Sequence, residues 1–576
     1  MEVKVIWPGE RRIAYFSMEI AVDPAMPTYG GGLGILAGDT LRAAADLGVP
    51  VVGVTLLSEH GYFTQTLDKD GNQSDSPVPW DVRAQLGDPL TERVGVEIEG
   101  RTVQIRAWQR DIVGCTGVRV PVVFLDTNLE ENMPEDRRIT DRLYVGDQRY
   151  RICQEVVLGI GGVRMLQALG YRNVAKYHMN EGHAAFLALE LFREEALRGM
   201  CPLDRMGECL QRVGAEVRAK CVFTTHTPVA AGHDRFPYAL VQQVLRDYFP
   251  VDLLRTIGGI DDLNMTLLAM HLSQYVNSVA RQHQHVSEHL FPGYHFSSIT
   301  NGVHSATWTC PEMATLFDKH IPHWRQDSFD LRYAMRIPEF EIQDAHQSAK
   351  RRLIDAINER TSVGFDPEAF TIGFARRATA YKRADLIFYD IQRLRGIGQS
   401  RKIQIVFAGK AHPSDKEGQD LIRKIQWHIG ELRDVVRIVY LPEYDMRLAQ
   451  LIIPGVDIWL NTPARPKEAS GTSGMKAAHN GVPHMSIQDG WWLEGHIEGV
   501  TGWEIGPVPT EENENANDDK SDAEELYYKL EHIILPMYYD DRSAWLRIMR
   551  NAIAFNASFF NTHRMMQQYV LNAYLM

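Results

Sequence analysis

One lysine, Lys476, closes a loop rich in glycine, serine and threonine: Glu468-Ala469-Ser470-Gly471-Thr472-Ser473-Gly474-Met475-Lys476. An apolar run, Leu451 to Leu460, precedes the loop, and a helix-permitting segment, Met475 to His479, follows it. Such a loop offers free backbone N–H groups and a helix start, a setting that favours an anion. A lysine held beside it and partly desolvated can shed its proton and condense with an aldehyde. An anion cradle next to an imine-forming lysine is what pyridoxal phosphate needs. On loop composition alone, a tight turn into a helix with an exposed lysine has the better claim.

A second cluster, Arg376-Arg377-Ala378-Thr379-Ala380-Tyr381-Lys382-Arg383, follows an apolar strand directly. Its crowded cations repel one another unless anions or carboxylates sit among them. A solvated basic helix face is the alternative, but the position at a strand end favours an anion site. A third string, Tyr29-Gly30-Gly31-Gly32-Leu33-Gly34, leads towards Asp39. Its Gly32-Leu33-Gly34-Ile35-Leu36-Ala37 portion fits a loose dinucleotide fingerprint, yet it follows Pro27-Thr28 rather than a strand. The plainer reading is a glycine turn capping a helix from Ile35 to Leu47.

The elements that must position these groups alternate. Strand-like runs are expected at Val51–Leu57, Val122–Leu125, Val222–Thr225, Phe370–Phe374, Ile403–Ala408, Val436–Leu441 and Val456–Leu460. Helical stretches lie between them, among them Arg149–Leu169, His183–Arg198, Glu341–Arg360 and Asp415–Leu432. This alternation predicts the α/β class, with parallel sheets flanked by helices. The last four strands form one doubly wound set, and ligands of such sheets sit beyond the carboxyl ends of the strands. Pro507 to Glu525 reads as a solvated acidic loop before a helix near Ala523, and Trp545 to Met576 as helical.

The Lys476 string resembles the cofactor-lysine signature of the α-glucan (glycogen, starch, maltodextrin) phosphorylases, in their short bacterial and archaeal branch. The other strings are similar to that family's motifs and occur in family order. The resemblance implies two Rossmann-like doubly wound domains facing across a cleft (GT-B type). Residues 1–305 would form the first and 306–545 the second, with helices in 546–576 crossing back to the first. It implies pyridoxal 5′-phosphate as a Schiff base on Lys476. Arg376 would hold the cofactor phosphate, at a position where the family usually has lysine; Thr472, Ser473, Tyr444 and Gly32 complete the cofactor set. Arg377 and Lys382 would bind the substrate phosphate, with Gly31, Gly32 and Leu33 facing it. His226, Asn301, Glu468, Ser470 and Gly471 would bind substrate, His226 with its carbonyl near the anomeric carbon. Lys476, Arg377, Lys382 and His226 form the catalytic set. Asn180-Glu181-Gly182-His183 resembles a further strand-end turn of the site.

The implied reaction is reversible phosphorolysis. A terminal α-1,4-linked glucose of an α-glucan or maltooligosaccharide passes to inorganic phosphate, giving glucose 1-phosphate with retention. In the family the cofactor phosphate exchanges a proton with substrate phosphate, whose second pKa of roughly 6 suits the task. A nucleotide-sugar glycosyltransferase of GT-B type, or a phosphorylase of a different glycan, stays open. The former explains the sheets and basic cluster but not the Lys476 loop. A hydrolase needs two facing carboxylates, for which Glu468 and Glu181 are candidates, but no phosphate cluster. A non-catalytic glucan binder would use Trp491 and Trp492 and have no need of Lys476 or Arg377. Glu135 to Tyr144 is left open as a lid over the sugar.

Composition sets bounds. The chain has 576 residues, 44% hydrophobic and 23% charged, enough for two or more domains. Its net charge of −13 argues against nucleic acid and anionic membranes as partners. No apolar run of about 18 residues offers a membrane span, and the N-terminus has no signal-peptide pattern. Cys115, Cys153, Cys201, Cys209, Cys221 and Cys310 lack paired spacing, so they read as reduced and cytoplasmic, with no metal site expected. A homo-oligomer stays open. The core begins near Arg12, so an N-terminal allosteric segment has no room, and activity independent of AMP is expected.

Overall fold

A computed structural model describes residues 6–78, 80–144, 146–199, 206–508, 510 and 516–575, with 206–210 described by backbone alone. Among these residues the chain builds two large sheets. The strands of the first are β1 (Ile13–Phe16), β2 (Val51–Leu56), β3 (Arg93–Ile98), β4 (Arg101–Val113), β5 (Arg119–Asp126), β6 (Lys176–Asn180), β7 (Cys221–Thr224), β8 (Tyr275–Ser278) and β9 (Ser297–Ser298). They lie in the order β9-β8-β7-β6-β1-β2-β5-β4-β3. The pairs from β9 to β5 are parallel, whereas β4 runs antiparallel to both β5 and β3. The second sheet holds β10 (Phe370–Ala375), β11 (Ile403–Ala408), β12 (Arg437–Leu441), β13 (Ile458–Asn461), β14 (His484–Ile487) and β15 (Gly502–Ile505). Its order is β12-β11-β10-β13-β14-β15, all parallel.

The apolar runs became central strands because helices cover both faces of a parallel sheet. Phe370-Thr-Ile-Gly-Phe-Ala375 is buried along its whole length. The hairpin β3–β4, not expected from the sequence, follows a different rule. Along most of Arg101–Val113 buried apolar residues alternate with half-buried or exposed polar ones, the mark of an antiparallel strand with one wetter face. The mixed sheet is therefore an addition to the expected all-parallel plan.

Four helices bear on the crevice and its surroundings. They are α1 (Gly32–Leu47), α2 (Glu339–Arg360), α3 (Ser473–Ala478) and α4 (Thr562–Tyr569). Helix α1 starts at Gly32, a turn earlier than expected, and stops at Gly48, whose φ of 68° is the left-handed cap that glycine tolerates. Helix α4 packs on α1, and Asn561 bridges to Val303. Beyond α4, Tyr574 Oη pairs with His178 Nδ1 on β6 at 2.7 Å. Segments around the two sheets also touch: the Met446 N–H donates to Tyr29 Oη at 3.0 Å, and the Gln73 side-chain amide donates to the Ala411 carbonyl at 2.8 Å.

Several expectations fall partly outside the described residues: Cys201, the side chain of Cys209, and part of 507–525. Cys115, Cys153, Cys221 and Cys310 are free thiols. No helix among the described residues is long and apolar enough to cross a membrane.

Candidate active site

Among the parallel strands of each sheet the chain reverses its direction of growth once. In the first this happens at β1, between β2 and β6; in the second, between β10 and β13. Ligands of such sheets bind beyond the carboxyl ends of the strands at these reversal points. The sequence motifs leave the sheets at these points: Glu19 after β1, Glu181 after β6, His226 after β7, Arg376 and Arg377 after β10, and the 462–476 loop after β13.

Lys476 sits on α3, buried, with 8% of its surface exposed. Among the described residues its Nζ has no hydrogen bond and no ion pair. It lies 3.7 Å from the centre of the Trp308 ring, a cation–π contact. Burial pushes its pKa down to about 8, against the pull of the Asp39 carboxylate. Asp39, on α1, accepts from the Trp308 indole at 2.7 Å and from the His304 amide at 3.1 Å, so it fixes the wall against which the lysine rests. The loop before Lys476 is tightly seated. A Cβ on Gly474 would come within 2.7 Å of the His484 ring and 2.8 Å of Trp491, so glycine is required there. The Ser473 hydroxyl accepts from Trp459 Nε1 at 2.9 Å and Asn461 Nδ2 at 3.2 Å, and Ser470 donates to the Gly471 carbonyl at 3.1 Å. The Thr472 carbonyl accepts from the Lys476 amide at 3.1 Å.

Two of the clustered cations share one carboxylate. Arg376 Nη2 and Lys382 Nζ each donate to Glu468 Oε2 at 2.6 Å. Burial alone would raise the Glu468 carboxyl, but Arg376 and Lys382 outweigh it and hold its pKa at about 2. The other terminal nitrogen of Arg376, Nη1, is buried without a partner. Tyr444 lies half-buried within the field of Arg376, and burial raises its phenol above the usual range. Asp489, one strand over, accepts from the Glu468 amide at 2.9 Å. Burial pushes its pKa up to about 7, with the charge of Glu468 adding to the effect. Arg377 is different: it is exposed and makes no hydrogen bond or ion pair among the described residues.

The glycine string faces this group from the first sheet. The amides of Gly30 and Gly31 donate to Glu19 Oε2 at 2.5 and 3.1 Å, and Tyr144 Oη donates to Glu19 Oε1 at 2.9 Å. The Gly31 amide thus has a carboxylate of the chain itself as its partner. Burial raises the Glu19 pKa, opposed by the glycine amides and Tyr144. A Cβ on Gly34 would fall 2.6 Å from Tyr29 and 2.7 Å from Glu19, so this approach too needs glycine. Open space surrounds the Cβ positions of Gly31 and Gly32, and Leu33 beside them is half-buried.

His226 is positioned from two strands. Its Nε2 pairs with Asn180 Oδ1 at 2.7 Å, and its amide donates to Glu181 Oε2 at 2.7 Å. Burial, with His283 nearby, holds its pKa well below the usual range, so the ring is neutral. Glu181 adopts φ of 83°, a strained backbone for a non-glycine residue at a strand end. Asn301 is buried, and its carbonyl accepts from Arg564 Nη2 at 2.8 Å. Trp491 and Trp492 are core residues, stacked or edge-on with His484, and offer no face to a glucan. Glu135 to Tyr144 is anchored at both ends, by Asp136 to Arg101 and by Tyr144 to Glu19.

The sequence left Glu19, Asp39, Trp308 and Asp489 unassigned. Two of them carried a signal: Glu19 ends an apolar strand, and Asp39 interrupts an apolar helix, Ile35-Leu-Ala-Gly-Asp-Thr-Leu41. A charge in either place is a cost that a partner must offset.

Comparison with known proteins shows the family to which the chain belongs. Residues 205–499 match the family model for carbohydrate phosphorylases. The chain is 40% identical to a maltodextrin phosphorylase of Thermococcus litoralis, over 97% of this chain and 70% of the relative. It is 34% identical to a glycogen phosphorylase of Aquifex aeolicus, over 98% and 86% respectively. A glycogen phosphorylase of Mycobacterium tuberculosis is 36% identical, over 98% of this chain and 70% of its own length.

Proposed function

This chain belongs to the carbohydrate phosphorylase family, and we propose that its residues carry the family's reaction on an α-glucan. It is an α-glucan phosphorylase. Inorganic phosphate displaces the terminal α-1,4-linked glucose, the glycosidic C–O bond breaks, a C1–O–P bond forms, and glucose 1-phosphate leaves with retention. The nucleotide-sugar glycosyltransferase reading is not favoured, since the relatives bear phosphorylase names.

We read the two sheets as the halves of a GT-B type architecture, 1–305 and 306–545, with 546–576 crossing back. The observation that carries the chemistry is a buried lysine with no hydrogen bond or ion pair among the described residues, eight positions after Glu468, the carboxylate that Arg376 and Lys382 share. These residues fit pyridoxal phosphate. Lys476 would hold it through Nζ, the orphaned Arg376 Nη1 would receive its phosphate, and Thr472, Ser473, Tyr444 and Gly32 would line it. When bound, the cofactor supplies a phosphate acid–base group beside the substrate.

Arg377, exposed and without a hydrogen bond or ion pair among the described residues, takes the substrate phosphate together with Lys382. Two dianions in one crevice repel strongly, and the three cations offset that repulsion. Their charge also steadies the oxocarbenium–phosphate pair. Glu468, held ionised, orients Arg376 and Lys382. His226 stays neutral, and its seat on Asn180 and Glu181 turns it towards the sugar. Asn301, Ser470 and Gly471 contact substrate hydroxyls. The proton for the departing glycosidic oxygen comes from the substrate phosphate.

The test is a product assay with maltooligosaccharides and inorganic phosphate. Glucose 1-phosphate is expected in phosphate-dependent amounts. Free glucose would indicate hydrolysis, and a requirement for a nucleotide sugar would indicate the rival transferase.

A further inference from the structure

Away from the crevice, three buried side chains from distant parts of the chain aim at one point. His304 Nε2 lies 2.8 Å from Asp46 Oδ2, and His563 Nε2 lies 2.9 Å from the same oxygen. The three ligand atoms fall within 4.8 Å of one another, and all three residues are buried. We propose that Asp46, His304 and His563 form a structural zinc site.

Four features support it. Neutral imidazole and carboxylate are zinc donors, and a tetrahedron with bonds of about 2 Å sets donor atoms roughly 3.3 Å apart. The observed pairs need open by only about half an ångström to admit the ion. Both rings converge on one carboxylate oxygen, while Oδ1 is occupied by the Cys115 amide at 2.6 Å. Each imidazole is also braced from behind by a hydroxyl on Nδ1. These are Thr307 Oγ1 at 2.7 Å for His304 and Ser328 Oγ at 3.3 Å for His563. Such bracing fixes tautomer and ring orientation in metal sites. A fourth donor would come from water or from the thiol of Cys115, whose amide already sits on Asp46 and whose sulfur in this structure donates to the Arg325 carbonyl at 3.4 Å.

The position gives the ion a task. Asp46 and Asp39 stand two turns apart on α1. His304 reaches both, with its ring on Asp46 and its amide on Asp39 at 3.1 Å. Asp39 holds the Trp308 ring under Lys476. His563 lies on α4, in the C-terminal crossing. Zinc would therefore clamp α1, the 303–308 segment and α4 together directly behind the lysine seat.

The test uses the whole untagged chain, purified without chelator after growth with zinc. Elemental analysis should find about one zinc per chain. Stripping the ion should lower the unfolding temperature by several degrees, and zinc but not magnesium should restore it. His563→Gln, if it folds, should lose the bound zinc, and Cys115→Ser should weaken its retention. A well-folded wild type that holds no zinc, with an unfolding temperature indifferent to zinc and chelator, overturns the proposal and leaves a hydrogen-bonded triad. Undiminished zinc on folded His563→Gln overturns it as well, by placing the ion elsewhere. If His563→Gln fails to fold, the wild-type measurements decide alone.

Discussion

Of the lysines buried in the second half of the chain, the fold treats two in opposite ways. Lys350, on α2, is 0% exposed, and its Nζ is saturated. It donates to Asp457 Oδ2 at 2.6 Å, to the Ala369 carbonyl at 2.7 Å and to Tyr538 Oη at 3.0 Å. Burial alone would raise the Asp457 carboxyl, but Lys350 and His346 hold it at about 2. Lys476 is nearly as buried yet has only an indole face and the field of a carboxylate. A buried cation with three oxygen partners is a structural brace. One without them is a cost, about 3 kcal/mol at neutral pH from the displacement to about 8. That cost is fully present below about pH 8, fades as pH rises towards the unfolded value, and vanishes once the amine is neutral. Such a group is kept ready for chemistry.

The contrast breaks most visibly by exchanging the two losses. Lys476→Ala should reduce phosphorolysis to background while the folded chain keeps or gains stability. Lys350→Met should do the reverse: it takes the ammonium from the buried Asp457 carboxylate, which keeps only the His346 ring and the Thr371 amide, and costs roughly 3–5 kcal/mol in denaturant unfolding. If Lys476→Ala unfolds the protein and Lys350→Met does not, the two assignments are exchanged.

The cation cluster sharpens the same contrast. Arg377→Ala and Lys382→Ala should each lower the rate about a hundredfold, roughly 3 kcal/mol, with the cofactor retained. Arg377→Ala should leave stability untouched, because Arg377 makes no hydrogen bond or ion pair among the described residues. Lys382→Ala should also lower stability, because it removes a buried partner of Glu468. Near-normal phosphorolysis in both variants would reduce the cluster to a solvated face.

The smallest effect is one of reactivity. Because the neutral amine is the nucleophile, labelling of cofactor-free Lys476 by an amine reagent should rise with pH through a midpoint near 8. Lys350 should stay unlabelled throughout. A midpoint in the ordinary lysine range would show that burial does not tune the group.

How much of the fold and the site is legible in the sequence depends on the range of the interaction. Four of the six strands of the second sheet, β10 to β13, can be read within a residue or two, since an apolar run covered on both faces needs little else; β14 and β15 are not among the expected runs. Strand β4 escapes such reading, because its alternating charges look like surface until a partner strand is in view. The loop around Lys476 is legible because its parts are contiguous. Its wall is not: Asp39 and Trp308 meet across 269 positions. The pairs of Asp46 with His304 and His563 span 258 and 517 positions, and no local spacing announces them.

The central claim is that the unpartnered lysine is the one that carries the cofactor. Borohydride reduction of the pyridoxal-loaded protein, followed by peptide mapping, tests it most directly. A stable pyridoxyl group on Lys476 alone is the expected result. Label on any other lysine, or none at all, would contradict it.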